Sequence, residues 1–452
     1  MPRRLALLGS AALLLGVAAA PGLGAWESPR RASSGPLDAH SPAVAANARG
    51  DAAAAWVRGT GRDAMIVVSL RPAGGGWSRQ AAISRRGRKA IDPQVAVDGQ
   101  GRVVVVWRQV VRTRLVRARG GLRRQAVYVA HARERDVAEG RWGRITTLSS
   151  DRHKVGPPQL AVDEAGGAVV AWHWGTGTRP SDRGFVGRVQ LVERRSDGSW
   201  TAPARVSRSP RCLQVRRPRV AAGAKGGAVV WWQCDLPRGR STALAVGRPP
   251  GGGFGDEVEL PFRSRGDLAA DLAVAAGGRA VAISAPRGGA LRWWRGTVAP
   301  VVALSPVPAL AKGETADRGA GGPRIAATAD GDALSAWTDA LGRPRAAPLA
   351  ADLGAGAART LDRPGLGATR LRVAIGSGVR RATVAWVADG RVHAATREAD
   401  GAVEQGIAIS GDGVSDADPP ALAADGAGAA AVFWTRSVHG RLVVERAVTA
   451  GA

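Results

Sequence analysis

Lysine is scarce in this chain and tyrosine occurs once. Of 64 basic side chains in 452 residues, only Lys89, Lys154, Lys225 and Lys312 are lysines, and the other 60 are arginine. Two cysteines are too few for a small disulfide-stapled scaffold. The six histidines, His40, His131, His153, His173, His393 and His439, fall without ligand spacing, so neither histidine zinc nor any other metal is expected. Beyond the N-terminal stretch no apolar run approaches the ~20 residues of a spanning helix. With 45% hydrophobic residues the chain is nonetheless expected to fold. Its apolar balance is mainly alanine and valine, and 15 of its 20 aromatics are tryptophan, which points away from a helical enzyme core.

The N-terminus has the layout of a secretory signal. Met1, Pro2, Arg3 and Arg4 precede Leu5 to Ala20, a 16-residue apolar run that ends in small side chains, and cleavage near Ala19 or Ala25 fits. Residues 1–25 are therefore read as a signal peptide and 26–452 as one domain, secreted, extracellular or held in the cell envelope. A retained anchor is the second reading. Loss of Arg3 and Arg4 takes the formal charge from +27 to +25, which favours anionic neighbours. The same arginine-for-lysine skew also follows from a GC-rich genome, so charge alone names no partner.

An internal repeat organises the rest. Pro42-Ala-Val-Ala-Ala, Pro93-Gln-Val-Ala-Val, Pro158-Gln-Leu-Ala-Val, Pro218-Arg-Val-Ala-Ala, Asp271-Leu-Ala-Val, Pro323-Arg-Ile-Ala-Ala, Arg370-Leu-Arg-Val and Pro420-Ala-Leu-Ala-Ala form eight copies. Their central residues are Val44, Val95, Leu160, Val220, Leu272, Ile325, Leu371 and Leu422. Trp56, Trp107, Trp172, Trp232, Trp337 and Trp434 each stand 12 residues further on, Trp386 stands 15 further on, and the fifth copy has Ser284 instead. A third apolar run follows, such as Met65 to Leu70 or Arg441 to Val448, then a glycine turn with an aromatic and a last short run. In that last run Ser84, Ser149 and Ser207 stand seven residues after Trp77, Trp142 and Trp200.

Four short strands per ~50-residue unit, joined by glycine turns, predict an all-β chain forming a single β-propeller. The runs are continuous because a blade packs both faces against its neighbours. The in-register tryptophans are read as packing residues filling the gap toward the blade periphery. The final copy stops after three strands, while Trp26 to Ser33 repeats the fourth-strand pattern. Eight four-stranded blades are thus expected, with the N-terminal strand closing the last and leaving no open edge. Seven blades plus an irregular segment is the alternative.

Second-to-third strand connections and interblade links should share one face, and they carry most of the charge. Cys212 and Cys234 both map there and are expected to pair, closing a 22-residue loop. Blade two has the largest excursion, Arg108 to Gln125, which contains Arg112, Arg114, Arg117, Arg119, Arg123 and Arg124 and no acid. His153 and Lys154 reach the same face from the next link, and Trp174, Arg179, Arg183 and Phe185 from the third blade's loop. Arginine forks match sulfate, phosphate and carboxylate, so this set is the candidate binding site, with a merely solvated face as the competing reading. The acidic run Asp412-Gly-Val-Ser-Asp416-Ala-Asp418 lacks the spacing of an EF-hand loop and is read as turn chemistry.

The turn Arg195-Ser-Asp197-Gly198-Ser-Trp200 resembles a worn Asp-box, the turn motif of sialidase-like propellers, and Gly-Gly-Trp77 echoes it. The resemblance implies the propeller fold. For sialidases it would also imply an arginine triad gripping a carboxylate, a tyrosine nucleophile with a glutamate partner, and an aspartate acid/base. The one tyrosine, Tyr128, sits inside an apolar strand, so the nucleophile does not carry over. The repeats also resemble quinone-dependent dehydrogenases in blade number and tryptophan content, but lack their longer tryptophan-docking motif. The reading reached is an exported, monomeric binding or scaffold propeller without cofactor. Its basic face would meet an acidic polysaccharide, another polyanion or a surface protein. A hydrolase or lyase acting on acidic glycans is the rival.

Overall fold

The computed structural model describes residues 25–449 apart from 119–120, 136–139, 176–186, 196, 286–289, 299–301, 308–321, 351–353, 363–366, 377–380, 399–400 and 416–417. Eight antiparallel sheets follow one another along the chain and form an eight-bladed propeller. The segment read as a signal peptide lies, up to residue 24, outside the described residues. In blade one Ala39–Ala46 is innermost and is followed outward by Ala52–Arg58, Met65–Arg71 and Ala81–Ala82. Blades three and six each carry one additional short strand.

Neither face of a blade meets water. Eight apolar clusters occupy the interfaces between neighbouring blades, and the seven in-register tryptophans are fully buried in seven of them. Each packs against the preceding blade: Trp107 against Ile66 and Val68 of blade one, Trp56 against Phe433 and Val444 of blade eight. Burying such a side chain stabilises by roughly 2–3 kcal/mol. In blade five, Ser284 leaves room that the next strand fills, with Trp294 Nε1 donating to Ser284 Oγ at 3.0 Å. Its neighbour Trp293 meets Trp337 edge-on at 5.7 Å.

The serines of the fourth strands have a common task. Ser84, Ser149, Ser207 and Ser410 each accept at 2.8 Å, through Oγ, the backbone N–H of Ile66, Ala130, Val189 and Val392 on the third strand. The hydroxyl thus stands in for a carbonyl where the short outer strand ends, so no buried donor is orphaned. Ser33 does the same for Val444 at 3.1 Å, on the segment that the repeat assigned to the last blade. Arg30–Arg31 pairs with Arg441–Val448, and Trp26 bridges to Thr449. The ring closes through its N-terminus.

Arginines tie the blades together at the first-turn face. Arg194 reaches Glu134 of the preceding blade at 2.7 Å and the Gly166 carbonyl at 2.8 Å; Arg248 likewise reaches Glu193 at 2.6 Å and Gly226 at 2.9 Å. On that face the first turns also bond to one another, Asn47 Nδ2 to the Asp98 carbonyl at 2.8 Å and Gly426 N to the Ala48 carbonyl at 3.2 Å. A Cβ on Gly426 would lie 2.2 Å from that oxygen, so only glycine fits at the junction between the last blade and the first.

Two readings need correction. In blade seven Val373, not Leu371, takes the central position opposite Val384: Leu371 stands where blades one, two and four have the repeat's proline, in the bulge that all four share. Leu371 is itself buried in the interblade core, which is why its apolar character misaligned the repeat. Cys234 lies within Ala228–Leu236 rather than in the loop after it, paired with Val215 and Thr242. The expected disulfide Cys212–Cys234 is present, with 5.2 Å between Cα atoms.

Removing residues 26–34 exposes the edge of Arg441–Val448, and a markedly lower melting temperature is expected; an unchanged one contradicts closure. Acid should also loosen the fold through His131. Burial, with Arg85 nearby, pushes its pKa from 6.5 down to about 4. The folded state therefore binds fewer protons than the unfolded chain between those values, and stability present above pH 6.5 is lost as pH falls toward 4. His131→Gln should flatten the decline in denaturant-unfolding free energy between about pH 7 and about pH 4.5. An identical slope in both proteins contradicts the assignment.

Candidate functional site

The eight innermost strands line a central channel. They start at the face that carries the interblade links and run toward the tight first turns, so the channel opens on the link face. At one level of the channel each strand presents the residue preceding its central apolar one: Ala43, Gln94, Gln159, Arg219, Asp271, Arg324, Arg372 and Ala421. Their equivalence is set by register, since each lies opposite the residue just before the in-register tryptophan, or before Ser284 in blade five. Three guanidiniums and one carboxylate thus share a ring whose other members are neutral.

The ring borders a cavity of about 740 Å³ also lined by Gln214, His173 and the Gly156-Pro157 link. Asp271 is the single carboxylate among the described lining residues. It meets Arg219 at 3.3 Å and accepts from Ile325 N at 3.3 Å. Arg219 also lies over the Trp231 ring, 5.7 Å from its centre. Arg324 and Arg372 turn back to donate to the carbonyls of Pro323 and Leu371 at 3.3 and 2.8 Å. Burial first, and then Arg324 and Arg219, push the Arg372 pKa down to about 9, still protonated at neutral pH. Burial lowers Arg324 as well, against the pull of Asp271. Burial, helped by Arg216, pushes His173 down to about 4, so its ring is neutral there.

Backbone strain gathers at the same rim. Register shifts break the inner strands of blades one, two, four and seven, and each carries a non-glycine residue at positive φ: Ser41 at 54°, Asp92 at 55°, Arg217 at 51° and Arg370 at 57°. Such conformations cost ~1 kcal/mol or more and persist where the surroundings over-determine them. Each bulge re-aims the strand just before its ring residue. Polar contacts fasten them: Ser41 N to Asp418 at 2.8 Å, Asp92 to Arg108, and Arg217 to Asp267 at 3.1 Å.

None of the candidate binding residues taken from the sequence lines this cavity. Arg112 and Arg114 lie at the foot of the blade-two hairpin, where Arg112 pairs with Asp151 at 2.9 Å and Arg114 donates to Gln125 Oε1 at 3.3 Å. His153 meets Trp174 edge-on at 4.2 Å beside them, and Lys154 pairs in the ladder with Gly175. Burial, with Arg114 and Arg152, lowers the His153 pKa. Arg117, Arg123 and Arg124 stand further out and are exposed. Arg119, Arg179, Arg183, Phe185 and Asp416 lie outside the described residues. Tyr128 is half-buried on the hairpin with the Arg108 guanidinium 5.0 Å from its ring centre. Asp412 pairs with Arg391, and Asp418 also receives the Thr435 hydroxyl at 3.0 Å, so both act in turns and links.

The ring arginines were missed although a signal for them exists. Arg219 and Arg324 follow the repeat's proline, as Gln94 and Gln159 do, and polar side chains at one repeat position of a propeller converge on its axis. Arg372 was hidden by the misaligned seventh copy.

The chain matches no protein-family model and no curated relative. Among solved structures it is similar to the BP39L lectin from Burkholderia pseudomallei, at 14% identity over 83% of this chain and 100% of that one, with a TM-score of 0.51. The Hadza microbial sialidase Hz136 aligns at 13% identity over 90% of this chain and 74% of its own, with a TM-score of 0.44. A protein of unknown function from Dyadobacter fermentans aligns at 12% identity over 95% and 98%, with a TM-score of 0.42. At 14% identity the likeness to the lectin establishes the propeller fold alone.

Proposed function

We propose that this protein is an exported binding propeller whose channel-mouth cavity holds the acidic group of a saccharide. The carrying observation is the convergence of Arg219, Arg324 and Arg372 on a cavity with one carboxylate, which Arg219 already engages. Arg324 and Arg372 are half-buried there, and one carboxylate among three guanidiniums leaves positive charge for an anionic ligand; guanidinium forks match carboxylate and sulfate in two-pronged geometry. The glutamines Gln94, Gln159 and Gln214 and the neutral ring of His173 supply the hydroxyl partners a sugar needs. A volume of about 740 Å³ suits a ligand of one to a few sugar units.

Binding fits this cavity better than hydrolysis. Glycoside hydrolysis draws on two carboxylates flanking the bond, or a tyrosine nucleophile in sialidases. Asp271 is held by Arg219, and Tyr128 lies on the blade-two hairpin, outside the cavity lining. A lectin of the same fold is consistent with the reading, although fold does not by itself carry function. The Cys212–Cys234 bridge supports export, since such bridges persist in oxidising compartments.

Calorimetric titration with a uronic-acid oligosaccharide and with a neutral one of equal length tests this. The acidic ligand is expected to bind, and Arg324→Ala with Arg372→Ala to weaken it roughly 10- to 100-fold, the worth of one or two charge-assisted hydrogen bonds. Equal affinity for the neutral sugar, or affinity unchanged in the folded double variant, overturns the reading.

A further inference from the structure

The blade-two hairpin is built unlike any other connection among the described residues. Val103–Ala118 and Gly121–Arg135 run 16 and 15 residues, the longest strands in the described chain. Seven cross-strand pairs, from Arg112 with Val127 to Ala118 with Gly121, extend beyond the bulge after Val110. At ~3.4 Å per residue the ribbon projects roughly 20 Å. Among the described residues nothing packs over its outer half, where Leu115, Arg117, Leu122, Arg123 and Arg124 are all exposed.

Register divides the ribbon into two faces, because directly opposed residues share a side. One face carries Arg112 with Val127, Arg114 with Gln125 and Val116 with Arg123; its lower part is held to the body through Asp151. The other carries Thr113 with Ala126, Leu115 with Arg124 and Arg117 with Leu122. Leu115 and Leu122 are 64% and 69% exposed, and they are diagonal neighbours with an arginine opposite each. Solubility does not call for two bare leucines at the tip of a basic ribbon. A soluble polyanion would use the arginines and leave the leucines idle.

We propose that this ribbon docks on the anionic headgroup surface of a lipid bilayer, Arg117 and Arg124 meeting lipid phosphates while Leu115 and Leu122 enter the headgroup boundary. Both halves of the pattern are then used, charge against an anionic leaflet and apolar side chains against the acyl margin. No acidic side chain occurs between Arg108 and Gln125 to oppose the approach. The inference stands on the ribbon and is independent of the channel cavity.

The test uses the mature chain with sedimented vesicles of phosphatidylcholine alone and of phosphatidylcholine mixed with phosphatidylglycerol, and with dextran sulfate as a soluble polyanion. Of the two kinds of vesicle only the mixed one is expected to bind, and both Leu115→Ser with Leu122→Ser and Arg117→Gln with Arg124→Gln should weaken that binding roughly tenfold. The leucine pair should leave dextran sulfate binding unchanged. These positions are solvent-exposed, so the variants should melt like the parent. Absence of vesicle binding by the parent overturns the proposal. So does vesicle binding that the leucine pair leaves intact, which would make the ribbon a polyanion site read through charge alone.

Discussion

Packing of one blade against the next is the interaction on which this molecule depends. Each sheet is apolar on both faces, so a blade with one neighbour missing would expose a whole alanine and valine surface together with a tryptophan. The only arrangement of such sheets that leaves none uncovered is a closed ring, and closure by the N-terminal segment follows from that need. Trp26 and Ser33 occupy in the last blade the places that Trp200 and Ser207 occupy in the third. Arginines clamp the same interfaces at their polar margin, where Arg194 and Arg248 bond both a carboxylate and a turn carbonyl of a neighbouring strand. These two arginines therefore serve the fold.

Closure also decides where a ligand can be held. Eight inner strands brought to one axis place eight equivalent side chains in a ring, so a single repeat position becomes a site without any local motif. On the first-turn side the backbones of adjacent turns hydrogen-bond to each other and leave little room. On the link side the strands begin with bulges, and residues at positive φ are fastened there by ion pairs and by Asp418.

The repeat made the architecture legible before any coordinates: tryptophan 12 residues on, serine seven after the next tryptophan, and the fourth strand displaced to the N-terminus. These features are local in sequence and periodic, and each reflects a contact that recurs in most blades. The disulfide was legible for a similar reason, since two cysteines in a chain read as exported leave one pairing. The cavity was not legible. Arg219, Arg324 and Arg372 are more than 150 residues apart end to end, and nothing near any one of them marks it as a ligand residue. Blade seven worsened this, because Leu371 takes the place of the repeat's proline and its apolar side chain imitates the central residue two positions early. The basic hairpin was visible as a run of arginines, but its division into a body-facing side and a leucine-bearing side depends on the register shift at Val110, which no composition reveals.

The central functional claim is that the channel arginines form an anion site. Anomalous diffraction from crystals soaked in selenate, an anion with the shape and charge of sulfate, tests it at the atoms concerned. The account expects a selenium peak inside the channel mouth within hydrogen-bond reach of the Arg324 and Arg372 guanidiniums, and its loss from crystals of the double alanine variant. Selenate bound at surface arginines with an empty channel mouth would contradict it.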